Sequence, residues 1–183
     1  MINNIPQAVA ILQRGGVIAY PTEAVFGLGC DPMNEEAVKR LLRLKHRSVD
    51  KGLILIASSW EQVTAYAKPL TEAQWRRVSA TWPGAVTWVF PATTMAPKWI
   101  TGTHDSIALR VTAHPVANQL CRAFGRALVS TSANVEGEKP ACSIEEVETI
   151  FSGQLDGIVE GEVGGLLRPT QMCDAVTGEV LRS

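Results

Sequence analysis

Four stretches of this 183-residue chain carry polar side chains that a core does not need. LVSTSANVEG (128–137) reads as a short apolar strand running into Ser130, Thr131, Ser132 and Asn134, three hydroxyls and an amide within one turn's length. Such groups, with backbone N–H donors beside them, cradle phosphate oxygens. They also close turns and cap helices, but four in succession exceed what one turn requires. RLLRLKHRSVDKG (40–52) gathers Arg40, Arg43, Lys45, His46, Arg47 and Lys51. A helix C-terminus attracts cations, which accounts for Arg43 or Lys45 but not for cations that continue into the following loop. Lys45 and Arg47 offer a point charge and a bidentate fork two residues apart, a combination suited to phosphate; a solvated helix face is equally compatible. YPTEAVFGLGCD (20–31) follows a strand, so Thr22 and Glu23 stand where open α/β sheets bind ligands. Gly27 and Gly29 there allow φ > 0 or close approach to the backbone, and an ordinary strand-to-helix connection explains the same residues. Arg110, in SIALRVT (106–112), alternates against Ile107, Leu109 and Val111, which leaves it either solvated or projecting into a cleft.

These residues need elements to hold them. Residues 6–14 form an amphipathic pattern with Pro6 in the first turn and Gly15-Gly16 at the end. VIAY (17–20) is a buried strand stopped by Pro21. NEEAVKRLLRLK starts at Asn34 as N-cap, with Glu35 and Glu36 in the first turn and Val38, Leu41 and Leu42 at helical spacing. GLILIA (52–57) and AVTWVF (85–90) are strands. Thr71-x-x-Gln74 and Ser143-x-x-Glu146 fit capping boxes. His114-Pro115 opens a helix with an apolar stripe that ends at Gly125, GIVEG is a weak strand, and the last residues form a hairpin. Crossovers mixed with hairpins predict one α/β domain over 1–183, with a twisted sheet of both parallel and antiparallel strands flanked by helices.

Composition narrows the class. With 46% apolar and 19% charged residues the chain can bury a core. A formal charge of −1 means that polyanion binding would need a local basic patch and not the overall field. Cys30, Cys121, Cys142 and Cys173 lack paired spacing, which suits free thiols in a reducing compartment and points away from zinc. The N-terminus lacks a signal-peptide pattern, and no apolar run reaches the ~18 residues of a membrane span. The expectation is a cytoplasmic protein with no membrane partner. Neither G-x-G-x-x-G nor G-x-x-x-x-G-K-[ST] occurs, so no Rossmann or P-loop site is signalled.

Taken in order, YPTEAVFGLGCD, LKHR, PGAVTWVF, LRVTAHP, STSANVEG and RPTQMCDAVTGEVLRS make the chain similar, nearly end to end, to the YrdC-like threonylcarbamoyl-AMP synthases. It resembles the short, single-domain bacterial form. The resemblance implies a YrdC-like fold with a positively charged concave cleft. It also implies an activity: L-threonine, bicarbonate and ATP give threonylcarbamoyl-adenylate and pyrophosphate, for N6-threonylcarbamoyladenosine at position 37 of tRNAs that read ANN codons. The family's K-x-R…S-x-N signature falls on Lys45, Arg47, Ser132 and Asn134, implied to bind ATP and serve catalysis. By the same resemblance Thr87 and Arg182 belong to the nucleotide side, and Thr22, Arg110, Ser130 and Thr170 to the threonine side. Mg²⁺ is implied with the ATP, without a dedicated protein metal site. Gln171 after Pro169-Thr170, and Ala85, depart from the family's commoner Pro-Ser-Thr and Pro.

A binding module is the alternative. The same basic residues could grip double-stranded RNA or tRNA, as a ribosome maturation factor would, although no aromatic-interleaved basic stretch is present.

Overall fold

The computed structural model describes residues 1–166 and 170–182. Pro169 of the Pro-Thr-Gln motif lies outside the described residues. Helix α1 (Ile5–Gln13) is capped by the Asn4 side chain, which accepts from the Gln7 N–H, and it buries Ala8, Val9, Ile11 and Leu12. Strand β1 (Ile18–Pro21) follows, and the chain doubles back at once into β2 (Phe26–Gly29), with Pro21 opposite Phe26. This hairpin corrects the expected strand-to-helix connection over 20–31. The apolar–glycine alternation of Phe26-Gly27-Leu28-Gly29 is a strand pattern: Phe26 and Leu28 enter the core while the glycines leave room on the other face. A Cβ on Gly29 would lie 2.6 Å from the Val129 carbonyl oxygen and 2.7 Å from the Tyr20 ring. Close approach, not a positive φ, is what these glycines supply.

Helix α2 (Glu35–Leu44) begins at Asn34, whose side chain accepts from the Ala37 N–H. Beyond β3 (Ile54–Ala57), α3 (Glu72–Ser79) opens with both bonds of the Thr71/Gln74 capping box in place. Strand β4 (Val86–Pro91), the one-turn α4 (Lys98–Thr101), β5 (Ser106–Val111) and α5 (Pro115–Phe124) come next. The order closes with β6 (Leu128–Ser132), α6 (Ile144–Phe151), β7 (Gly157–Ile158), β8 (Gln171–Asp174) and β9 (Val180–Arg182).

Among the described residues the strands form one sheet in the order β7-β1-β2-β6-β3-β5-β4-β8-β9. The β1–β7, β3–β5 and β4–β8 pairs are parallel and the others antiparallel, which is the mixed sheet the element order predicted. One face buries Leu28, Leu55, Leu109 and Val129 under α2 and α6. The other buries Ile18, Tyr20, Ile56 and Leu128 under α1 and α5. Each fully buried leucine contributes roughly 1.5–3 kcal/mol of transfer free energy.

The second face is only partly covered. Side chains alternate along a strand, so Ser130 and Ser132 point the same way as Leu128, and Ile54 the same way as Ile56. Leu128 and Ile56 lie beneath the helices; Ser130, Ser132 and Ile54 emerge beyond them, beside Ala108 of β5. That bare part of the sheet is the floor of a cavity.

Cys30, Cys121 and Cys173 are buried free thiols and Cys142 is exposed. Among the described residues no helix is long and apolar enough to cross a membrane.

Candidate active site

The cavity holds about 500 Å³. Its floor is Gly27, Ile54, Ala108, Ser130 and Ser132; its walls come from the Thr22–Phe26 turn, the loop from Arg47 to Leu53, and Thr101 at the end of α4 with His104 just beyond it. Thr170, Met172, Leu181 and Arg182 complete the rim. Arg47, Lys51, Arg110 and Arg182 all line it, and no carboxylate does among the described residues.

How α2 ends explains why cations run past it. The His46 N–H bonds to the Arg43 carbonyl and the Arg47 N–H reaches back to that of Leu42. His46 takes φ 51, the left-handed position where such helix ends usually place glycine. This turn sends Lys45 and Arg47 to different places. Lys45 is 3% exposed, and its ammonium donates to the Ser132 carbonyl, to the Asn134 carbonyl at 2.8 Å and to Asn134 Oδ1 at 3.3 Å. Three protons meet three acceptors, behind the cavity wall. Burial, and then the nearby Arg47 charge, push its pKa down to about 8. Asn134 is equally committed: Oδ1 also accepts from Ser132 Oγ at 2.6 Å, and Nδ2 donates to the Val135 and Glu138 carbonyls. Lys45 and Asn134 therefore knot the turn that ends β6, while Ser132 and Arg47 face the cavity. Arg47 Nη2 donates to the Gly52 carbonyl at 3.2 Å, and its buried Nε has no partner.

Arg110 lies at the other end. It is 5% exposed, with Nη1 donating to Thr170 Oγ1 at 2.8 Å and Nη2 at 3.4 Å from Glu23 Oε2. Glu23 is held in turn by the Thr112 hydroxyl, which donates to Oε1 at 2.7 Å. Ile56 pairs with Arg110, and Gly52, to which Arg47 bonds, lies four residues upstream of Ile56. At about 3.3 Å per extended residue the two arginines are anchored roughly 13 Å apart.

The remaining expected residues fall in three situations. Ser130 lies on the floor. Thr22 lines the cavity, yet its hydroxyl donates to the Val25 carbonyl at 2.6 Å and so also closes the hairpin turn. Arg182 donates to the Thr170 carbonyl at 3.3 Å, and burial together with the Arg110 and Arg47 charges pushes its pKa down. Thr87 is not brought into the lining. It sits fully buried on β4, opposite Met172, with an unpartnered hydroxyl.

Sequence reasoning placed Lys51 in the basic run without assigning it to the site, and missed Thr101, His104 and Ser106 as lining residues. Ser106 was legible, since it shares the alternating face of Ala108 and Arg110. Thr101 and His104 carry no such signal, because only the docking of α4 brings them near. Among the described residues the buried polar atoms without partners are Glu23 Oε2, Arg47 Nε, Thr87 Oγ1, Thr101 Oγ1 and Arg110 Nε. Leaving such a group unpaired costs about 1–3 kcal/mol. Three of them belong to cavity-lining residues and a fourth to the Arg110 partner, the distribution expected where a polar ligand completes the bonding.

Residues 10–183 match the Sua5/YciO/YrdC family profile, described as "Telomere recombination", and the chain belongs to that family. It is 53% identical, over 98% of its length and 96% of the relative's, to the Coxiella burnetii (strain RSA 493) protein named threonylcarbamoyl-AMP synthase. It superposes on a double variant of P. abyssi Sua5 with TM-score 0.92 and 32% identity, covering 97% of this chain and 55% of that one. P. abyssi Sua5 complexed with L-threonine gives TM-score 0.88 and 33% identity, over 93% of this chain and 50% of the other. This chain thus spans about half the length of the P. abyssi protein.

Proposed function

We propose that this protein is a threonylcarbamoyl-AMP synthase, joining L-threonine, bicarbonate and ATP into L-threonylcarbamoyl-adenylate with release of pyrophosphate. The observation that carries this reading is a cavity with guanidinium groups anchored at two separate levels, Arg110 beside Thr170 and Arg47 beside Lys51, and hydroxyls between them. All three substrates carry negative charge, and gathering them requires cations that stay charged. The C. burnetii relative's name and the threonine complex of P. abyssi Sua5 support threonine and ATP among these substrates.

Arg110 would take the threonine carboxylate, with Thr22, Ser130 and Thr170 around the rest of the amino acid. The deprotonated amine adds to carbon dioxide derived from bicarbonate, forming an N–C bond and, after proton loss, a carbamate. A carbamate oxygen attacks the α-phosphorus of ATP; the bond to the bridging oxygen breaks and pyrophosphate leaves with the electron pair. Arg47, Lys51 and Arg182 would balance the phosphate charge, Ser132 would orient an oxygen, and Ile54, Val89 and Met172 give an apolar wall for a base. Such transfers depend on positioning and electrostatics. Lys45 and Asn134 act on the reaction by holding the Ser132 turn.

The lining offers hydroxyls and cations in place of clustered carboxylates, and among the described residues no group of three or more His, Cys, Asp or Glu could hold a metal. That donor set fits Mg²⁺ carried in on phosphate oxygens and water, where it neutralises charge. The product would go on to tRNA through a separate transferase, in the cytoplasm that the unpaired cysteines suit. The basic residues that would serve an RNA-binding reading scatter: Arg40 pairs with Asp156, Lys45 is buried and Arg47 lines the cavity.

Mass spectrometry after mixing the protein with ATP, threonine and bicarbonate should reveal threonylcarbamoyl-adenylate, with pyrophosphate appearing only when all three are present. Salt-sensitive RNA binding without any ATP turnover would replace this reading with the binding module.

A further inference from the structure

Where the phosphate chain is expected, the protein supplies an anion of its own. Glu136 Oε1 lies 3.8 Å from Arg47 Nη1 and also accepts from Lys51 Nζ. One carboxylate oxygen is thus shared between a guanidinium and an ammonium, both of which line the cavity. The backbone fixes it there. The Glu136 N–H donates to the Lys45 carbonyl at 2.9 Å, and Asn134 Nδ2 ties the same turn to the Glu138 carbonyl at 2.9 Å. The Lys51 bond is the largest cause holding the Glu136 carboxyl below its ordinary pKa, with the Arg47 and Lys45 charges acting the same way.

We propose that Glu136 is an internal competitor for the phosphates of the nucleotide, occupying Arg47 and Lys51 until a triphosphate displaces it and reclaiming them as pyrophosphate leaves. The inference rests on placing the phosphates at Arg47 and Lys51. All three side chains are partly exposed, so the exchange runs in a screened setting, where ion pairs are weak enough to be traded. An incoming pyrophosphate brings several charges against one carboxylate and wins both cations. Glu136 then lies beside a polyanion, and its repulsion favours release. Without it, Arg47 and Lys51 would bind pyrophosphate without a rival and product inhibition would deepen.

The test is calorimetric binding of inorganic pyrophosphate, in magnesium buffer, to the unaltered protein, Glu136→Gln and Glu136→Asp. Glu136→Gln should bind about 10-fold tighter and show correspondingly stronger product inhibition by pyrophosphate, as expected for removing one unit charge a few ångströms from a polyanion. Glu136→Asp separates contact from field. It keeps the charge but shortens the reach by a methylene, so an occupant that works by touching both cations predicts tighter binding, about 3-fold, in this variant too. An affinity for Glu136→Asp equal to that of the unaltered protein overturns the contact, and weaker binding by Glu136→Gln overturns competition altogether. Absence of pyrophosphate binding by the unaltered protein removes this inference together with the phosphate assignment. Failure of Glu136→Gln alone leaves the synthase reading standing.

Discussion

The two ends of the cavity solve opposite problems. At the β6 end, Lys45, Ser132 and Asn134 form a closed network in which each of the three ammonium protons has an acceptor and the Asn134 amide uses both its oxygen and its nitrogen. At the β5 end, Arg110 and Glu23 are buried together yet only loosely joined at 3.4 Å, with Arg110 Nε and Glu23 Oε2 both left over. A satisfied network fixes shape; an incomplete one retains capacity for a ligand. Four signature residues that look equivalent in sequence therefore divide into two that build the wall and two that face the cavity. The difference implies distinct failures when each end is cut.

Arg110→Ala should produce the largest effect. It removes the buried cation opposite Glu23, and truncating one member of a buried charge pair costs roughly 2–5 kcal/mol. Pyrophosphate formation should fall about 10²–10³-fold, chiefly as a higher KM for threonine, while the KM for ATP changes little. Equal damage to both KM values would mean that the two ends are not separate subsites.

Lys45→Met comes next and sharpens the contrast from the other side. Its three acceptors lose their donor, and the Ser132 turn should loosen. A displacement of 1 Å is enough to cost on the order of 10²-fold in turnover, so kcat should drop while pyrophosphate affinity stays within about 3-fold, because Arg47 and Lys51 remain. A pH dependence accompanies it. The folded protein releases the Lys45 proton near pH 8, below the ordinary lysine value of about 10.4. Between these values the unfolded chain holds more protons, so stability rises with pH in that window. Chemical denaturation at pH 8 and pH 10 should show this rise in the unaltered protein relative to Lys45→Met, while activity declines as the ammonium loses the third of its donors.

Much of this was legible in the sequence. The 3.6-residue spacing of Val38, Leu41 and Leu42, the caps at Asn34 and Thr71, and the alternation of β5 gave elements whose ends the structure moves by a residue or two. Strand β2 was hidden because Gly27 and Gly29 suggest a loop, and only the proximity of Tyr20 and Val129 explains why a strand must be bare there. The convergence of Thr22, Arg47, Arg110, Ser130, Ser132, Thr170 and Arg182 on one cavity follows the family resemblance. What sequence could not show was depth. A lysine in a loop-bound basic run reads as solvent-facing, and nothing local reveals that Lys45 turns inward onto a strand end almost 90 residues away. Glu136 was equally silent, since a glutamate in a polar loop has no signal until its two cations are seen beside it.

Thr87 offers the smallest effect and the finest distinction between wall and site. It shares the β4 face of Val89, which lines the cavity, but its own hydroxyl is fully buried and without a partner. If that hydroxyl only occupies space, Thr87→Val removes an unsatisfied polar group at nearly constant volume. Stability should then rise by about 1 kcal/mol, in line with relief of an unpaired buried group, and the KM for ATP should not move. A hydroxyl that meets the nucleotide once the site fills would give the same gain in the free protein but a raised KM for ATP. Thermal melting with and without ATP separates the two: the shift that ATP confers should be the same for Thr87→Val and the unaltered protein if Thr87 belongs to the wall, and smaller in the variant if it belongs to the site.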